Sequence, residues 1–415
     1  MRIAPPQSKL GPLAARLVTA VGFLALTCTE RPAVTAPSDT SVAPSFDHRL
    51  TGPSRKPPAN GRSIFRHWTF GDEPFWTDTL RLNEVVETAV SPATALAVGL
   101  KVDAERLPPG FLGKADLKSP ATTVDLLRRD AVVGIEADVT ADRHIKRLGI
   151  TCALCHSTVD NSVAPGIGRR LDGLPNRDLN VGAIVALSPA VPASAKTVYN
   201  SWGPGKYDAE FNRDGINSPV VIPPALGLKG VARETYTAEG PVSYWNAYVA
   251  VTQMHGHGDF SDAALGIDID QTPDLVTPEL PALRQYQLNL PLPAPLPGAV
   301  DREAAARGQA LFKGKANCAH CHIPTMHFTD VNVVSNGEVT LHAPAEVCTD
   351  PVRASRLKNH AYRTTPLRAL LRHPPYFHDG SAATLMDVVQ HYDQCMKLGL
   401  SPKEQADVAE FLKTR

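Results

Sequence analysis

The chain has 415 residues, 43% of them hydrophobic, enough for two or three packed domains and too much for a tail or a peptide. Lys plus Arg equals Asp plus Glu at 42 each, so no net field draws it to nucleic acid or anionic lipid, and polyanion partners are excluded. Proline at 37 residues beside aromatics at 6% predicts long irregular connections around cores completed by a large apolar cofactor.

At the N-terminus Arg2, Lys9 and Arg16 stand without an acid before an apolar run from Leu17 to Thr27, which ends at Cys28. This is a secretory signal pattern, and the run is too short for a bilayer, which takes about 20 apolar residues. The expectation is an exported, periplasmic protein with residues 1–28 as its signal. The sequence LALTC leaves two readings open: Cys28 as a lipid anchor, or cleavage further on with Cys28 discarded. Residues 29–60 are rich in Pro, Ser and Thr without apolar periodicity, and read as a disordered linker.

Residues 61–290 are expected to form an N-terminal domain. TDTLRLNEVVETAV carries Leu and Val at helical spacing and stops at Pro92. In TADRHIKRLGITCALCH, Thr140 is placed to cap a helix that delivers Cys152. The motif itself, Cys152, Cys155 and His156, repeats as Cys318, Cys321 and His322. Two thiols separated by two residues reach the two vinyl groups of one porphyrin, and the adjacent His falls under the iron. Zinc sites and redox CxxC motifs do not require that His, so two copies predict two covalently bound c-type haems. After His156 the chain turns rich in Gly, Pro and Asn and reads as a long, loop-dominated insertion. If Cys28 leaves with the signal or carries lipid, Cys348 and Cys395 remain, and a disulfide between them is expected in an oxidising compartment.

PLPAPLPG, within residues 291–300, reads as a stiff extended linker. Residues 301–415 are expected to form a second, cytochrome c-like haem domain. It opens on a helix with Ala305, Leu311 and Phe312 as its apolar stripe. It closes on SPKEQADVAEFLKTR, where Ser401 caps, Pro402 takes the first helical position and Glu404 completes a capping box. The fold class predicted is mainly α with extensive loops, in two cytochrome c-like haem domains.

Together these features resemble the bacterial di-haem cytochrome c peroxidases and their MauG branch over about residues 140–415. Three local matches add to the haem motifs: INSP at Ile216–Pro219, SYWNAY around Trp245, and PPYFHDGSAATL before an amphipathic helix. The resemblance implies that His156 is the proximal ligand of a peroxide-reactive iron and His322 that of a second, six-coordinate one. It makes Trp245 the electron relay, and Asn217 with the carbonyls of His373 and Pro375 the holders of a calcium ion. The peroxidases place a Met on the second iron fourteen residues after the signature His; counted from His378 this position is Tyr392, as in the MauG branch. Phenolate is a hard anionic donor that stabilises ferric and higher states, whereas thioether favours ferrous iron. Met396, one turn later on the same helical face, is the rival ligand.

Further candidates are His257 in QMHGHGDF as a distal acid–base group, Glu210 or Glu239 as the carboxylate of the peroxide site, and Arg169, Arg170 and Arg177 as propionate partners. The function implied is oxidation of a partner protein or organic molecule, or reduction of hydrogen peroxide at the expense of a small electron-donor protein. The alternatives are a non-catalytic di-haem electron carrier, or an oxygenase related to the di-haem rubber oxygenases.

Overall fold

The computed structural model describes residues 60–415 except Leu296 and Asn336. The expected signal, Cys28 and the linker up to residue 59 lie outside the described residues. Those described form helices together with six two-stranded sheets, so the expectation of a mainly α fold is corrected to a mixed one.

Helix α1 (Gly61–His67) starts where the Asn60 side chain accepts from the Ser63 amide, and it buries Ile64 and Phe65 completely. The expected helix before Pro92 forms as α2 (Leu82–Ala89). The helix expected to lead into the first Cys motif does not form. In its place stands a hairpin of β1 (Ile135–Val139) and β2 (Ile145–Ile150), with Ile135 opposite Ile150 and Ala137 opposite Leu148. Thr140 caps the turn between them, its hydroxyl accepting from the His144 amide at 2.9 Å. A short hydroxyl side chain offers the backbone a turn as readily as a helix start. Tertiary burial decides: Ile145 and Leu148 sink into a cluster with Val124, Leu126 and Leu127, which a strand reaches and an isolated helix would not.

The hairpin leads into α3 (Ala153–His156), then β3 (Ser157–Val159), which pairs antiparallel with β4 (Arg170–Asp172). Gly134, at φ +80°, lets the hairpin lie directly on the backbone of Leu154; a Cβ there would overlap it. The supposed loop insertion also contains α4 (Val242–Thr252) and α5 (Leu280–Leu288), and α5 packs Leu283 and Tyr286 against α1. The Phe65 and Tyr286 rings lie 5.6 Å apart.

After a stretch without regular secondary structure at 291–295, α6 (Arg302–Lys313) and the terminal α8 (Pro402–Lys413) pack on one another, with α7 (Leu385–Met396) completing a cluster of Phe312, Leu385, Val389, Val408 and Leu412. Burying each such side chain contributes about 1.5–3 kcal/mol. Gly308 is what allows the helices this close, since a Cβ would overlap the Asp407 carbonyl. The expected caps are present: Ser401 accepts from the Glu404 amide, and the Glu404 carboxylate accepts from the Ser401 amide at 2.7 Å.

The C-terminal part is joined to what precedes it by buried arginines. Arg353, with 0% exposure, pairs with Glu210; Arg356 pairs with Asp208 at 3.0 Å and Asp214 at 2.7 Å. Arg363 donates to the carbonyls of Thr235 and Glu234. The expected disulfide is formed, Cys348 to Cys395, with Cα atoms 6.0 Å apart. It ties α7 to the segment that carries Arg353.

Candidate functional site

The first Cys motif occupies the single turn of α3. The Thr151 amide donates to Gly134 O and its hydroxyl to Arg66 O, so hairpin and α1 hold the start of the turn. Cys152 and Cys155 are half-buried thiols three residues apart, which is one helical turn. Burial pushes both up to about 12 and pulls His156 down to about 4, so the ring is neutral. Its Nδ1 meets Pro223 O at 3.0 Å, which selects the tautomer with Nε2 unprotonated and available to a metal.

The second motif repeats the arrangement. His322 Nδ1 meets Phe328 O at 3.0 Å, and burial keeps this imidazole neutral too. Cys318 is half-buried against the α6–α8 core, its thiol raised to about 11 by burial. Cys321 also lies close to Asp330 and His342, a trio whose ligand atoms fall within 4.8 Å of one another. His342 is spoken for: its ring bonds Asp330 at 2.8 Å and Glu346 at 3.0 Å, and these bonds, Asp330 first, together with one to Cys321, push it up to about 11. A protonated imidazole is a cation and no metal ligand.

Tyr392 and Met396 differ sharply. Tyr392 projects from the middle of α7, is half-buried, and is raised to about 12, first by burial and then by the Cys321 and Cys318 sulfurs. The phenol therefore faces the second motif. Met396 is 45% exposed and is the last residue of the helix.

Trp245, half-buried on α4, lies with its ring 4.9 Å from that of Tyr248 and 5.6 Å below the Arg353 guanidinium. Arg353 Nε donates to Tyr236 Oη at 2.8 Å, and the Tyr236 ring stacks on Tyr362 at 6.4 Å, which stacks on His378 at 5.2 Å. Sequence reading missed this junction, since Arg353 sits in a polar stretch, VRASR, that carries no signal of burial. Glu210 is held by Arg353. Glu239 accepts from the Thr237 hydroxyl, and burial raises its carboxyl above the ordinary range.

His257 serves a loop: its Nδ1 meets Pro273 O at 2.8 Å and its amide donates to Phe70 O. The residues expected to hold calcium have other partners in the structure. The Asn217 amide oxygen accepts from the Trp202 indole at 2.9 Å, and His373 O accepts from Arg177 at 2.8 Å. Pro375 packs at Gly380. A guanidinium on a carbonyl that should coordinate a divalent cation opposes it, so this donor set does not fit calcium.

The residues do fit haem. Each motif offers two thiols on one turn and a neutral His whose Nδ1 meets a backbone carbonyl, and Arg177, near His156, buries Nε and Nη1 without a hydrogen-bond partner, the need that a propionate meets. Arg169, by contrast, is exposed and paired with Asp160 at 2.9 Å.

No family model matches the chain. A methylamine utilization protein MauG of Methylophilus methylotrophus is 35% identical over 127 residues, covering 27% of this chain and 36% of that protein. The MauG of Methylorubrum extorquens is 32% identical over 121 residues, covering 26% of this chain and 34% of that protein. The chain is related to the MauG and di-haem cytochrome c peroxidase family. The matches span about a third of the length of these MauG proteins. A solved structure of a MauG-like protein associated with microbial copper homeostasis is 22% identical with a TM-score of 0.27, covering 34% of this chain and 54% of that one.

Proposed function

We propose that the protein is an exported di-haem c-type oxidoreductase of the MauG kind, which uses peroxide to oxidise a partner protein or an organic molecule. The observation that carries this reading is the Tyr392 phenol facing Cys318 and Cys321 while Met396 is exposed. A haem at each motif would supply an iron, the first with the chemistry to react with peroxide, and Tyr392 would offer the second a hard phenolate that favours higher oxidation states.

The chain's own residues do the rest. Cys152 and Cys155, and Cys318 and Cys321, hold the two groups covalently. His156 and His322, oriented through Pro223 O and Phe328 O, present Nε2, and Arg177 neutralises a propionate. Glu239, whose carboxyl burial raises above the ordinary range, is favoured over Glu210 as acid–base group, because Arg353 keeps Glu210 in an ion pair. Trp245 is the electron relay, and faces a neutral Arg353–Glu210 pair in place of a lone cation that would oppose its oxidation. The disulfide and the N-terminal signal pattern support an oxidising, periplasmic location. No described helix is long and apolar enough to cross a membrane.

The test is spectroscopic. The purified protein should carry two covalent haems by mass and pyridine haemochrome, with one high-spin and one low-spin ferric EPR signal that both respond to peroxide. Two low-spin signals indifferent to peroxide would leave an electron carrier and sink the proposal.

A further inference from the structure

Residues 342–350 form a strap between the second Cys motif and α7. At its start His342 lies beside Cys321 and bonds Asp330 at 2.8 Å, and its backbone exchanges two hydrogen bonds with Tyr362. At its end Asp350 meets His378 Nε2 at 3.0 Å. In between, two adjacent strap residues hold the helix. Val347 O accepts from His391 Nε2 at 3.0 Å, and Cys348 forms the disulfide with Cys395. His391 and Cys395 stand four apart on α7, so the two attachments bracket Tyr392.

The second half of α7 has little else to fix it. Leu385 and Val389 are buried, and no residue of the helix beyond Val389 is. On the side of α8, Asp393 accepts from the Leu400 amide at 2.9 Å and from Gln405 at 2.8 Å. The Phe377 ring lies 4.6 Å from that of His391 and 5.8 Å from that of Tyr392. Helix ends with few buried apolar contacts open at small cost, whereas a ligand atom has to be held within about 0.5 Å of its productive place. A covalent link one turn after Tyr392, gripping from the strap that starts beside Cys321, meets that need.

We propose that the Cys348–Cys395 disulfide positions Tyr392 for the second iron, so that this iron has its phenol ligand only while the disulfide is formed. The inference rests on the reading of Tyr392 as ligand. Cys348 is exposed, so a dithiol reductant can reach the pair. Two electrons and two protons then pass from the dithiol, the S–S bond breaks to give two thiols, and the reductant closes to its own disulfide.

Three forms of the haem-loaded full-length protein test this against the unmodified one, by ferric EPR, absorption and potentiometric titration. They are Tyr392→Phe, Cys348→Ser with Cys395→Ser, and the natural chain reduced with dithiothreitol, capped with iodoacetamide and returned to the ferric state with ferricyanide. The capped protein carries the test if the double variant does not fold. All three should lose the phenolate signature of the second haem and raise its potential, as loss of an anionic donor implies, with the signal of the first haem unchanged. A change confined to Tyr392→Phe overturns the proposal and leaves the disulfide a stabiliser of the fold. Equal changes at both haems in the disulfide-free forms overturn it too, since they mark general loosening. A silent Tyr392→Phe overturns the reading of Tyr392 as ligand, and the proposal with it.

Discussion

Single side chains divide into those whose role follows from their type and those whose role follows from burial. Tyr392 belongs to both groups: the count from His378 selects it, and its half-buried phenol beside Cys318 and Cys321 supports it over exposed Met396. Tyr392→Phe should change the EPR and absorption spectrum of the second haem, while Met396→Leu should leave both unchanged; the reverse pattern would transfer the ligand role to Met396. Asp72 was not legible at all. It is fully buried, accepts from Trp76 Nε1 at 3.1 Å and from the Ile150 amide at 3.2 Å, and burial pushes its carboxyl up to about 9. Because the folded pKa is raised, the stability linked to this proton is fully present below the ordinary carboxylate range and is lost as pH rises through about 9. Asp72→Asn, neutral throughout, should flatten the fall of Tm between pH 5 and pH 9, and parallel curves for the two proteins would remove Asp72 from the account.

Elements were legible where local chemistry is strong. The capping box and Pro402 mark α8 to the residue, because caps act within one turn and need no distant partner. The segment before Cys152 was misread because Ile145 and Leu148, spaced three apart, suit a helix face as well as a buried strand. The choice falls to a hydrophobic cluster contributed by residues some twenty positions upstream. Helix α7 carries Tyr392, and the disulfide at Cys395 anchors it one turn later. The two cysteines are 47 positions apart, so replacing both by Ser should destabilise the protein by about 4 kcal/mol in the loop-entropy account. Chemical denaturation measures it; an unchanged midpoint would show that α7 is held by packing alone.

At the scale of the whole molecule, the residues before and after the proline-rich stretch are held together by charge buried at their junction. Arg353 and Glu210 lie 143 positions apart and are both buried, with Trp245 and Tyr236 against the guanidinium. Removing one partner of such a pair strands the other charge, so Arg353→Ala should cost about 3–5 kcal/mol. The double substitution Arg353→Met with Glu210→Gln should cost much less, because no buried charge is left unpaired. Thermal denaturation of the three proteins decides this, and equal losses in the single and double variants would refute the coupling.

The sequence by itself determined the two CxxCH motifs, the cysteine pair left over for a disulfide, and the terminal helix with its caps, each from spacing along the chain or chemistry within a turn. Tyr392 entered through the family resemblance, by the count from His378. Only the tertiary structure decided that a hairpin precedes Cys152, that Met396 is exposed, that Asn217 and His373 spend their carbonyls on Trp202 and Arg177, and that Arg170 lies buried with donors unfilled. The physical reason is common to all four: burial and hydrogen-bond partnership arise between residues far apart in sequence, and a residue's type does not say which distant groups will surround it.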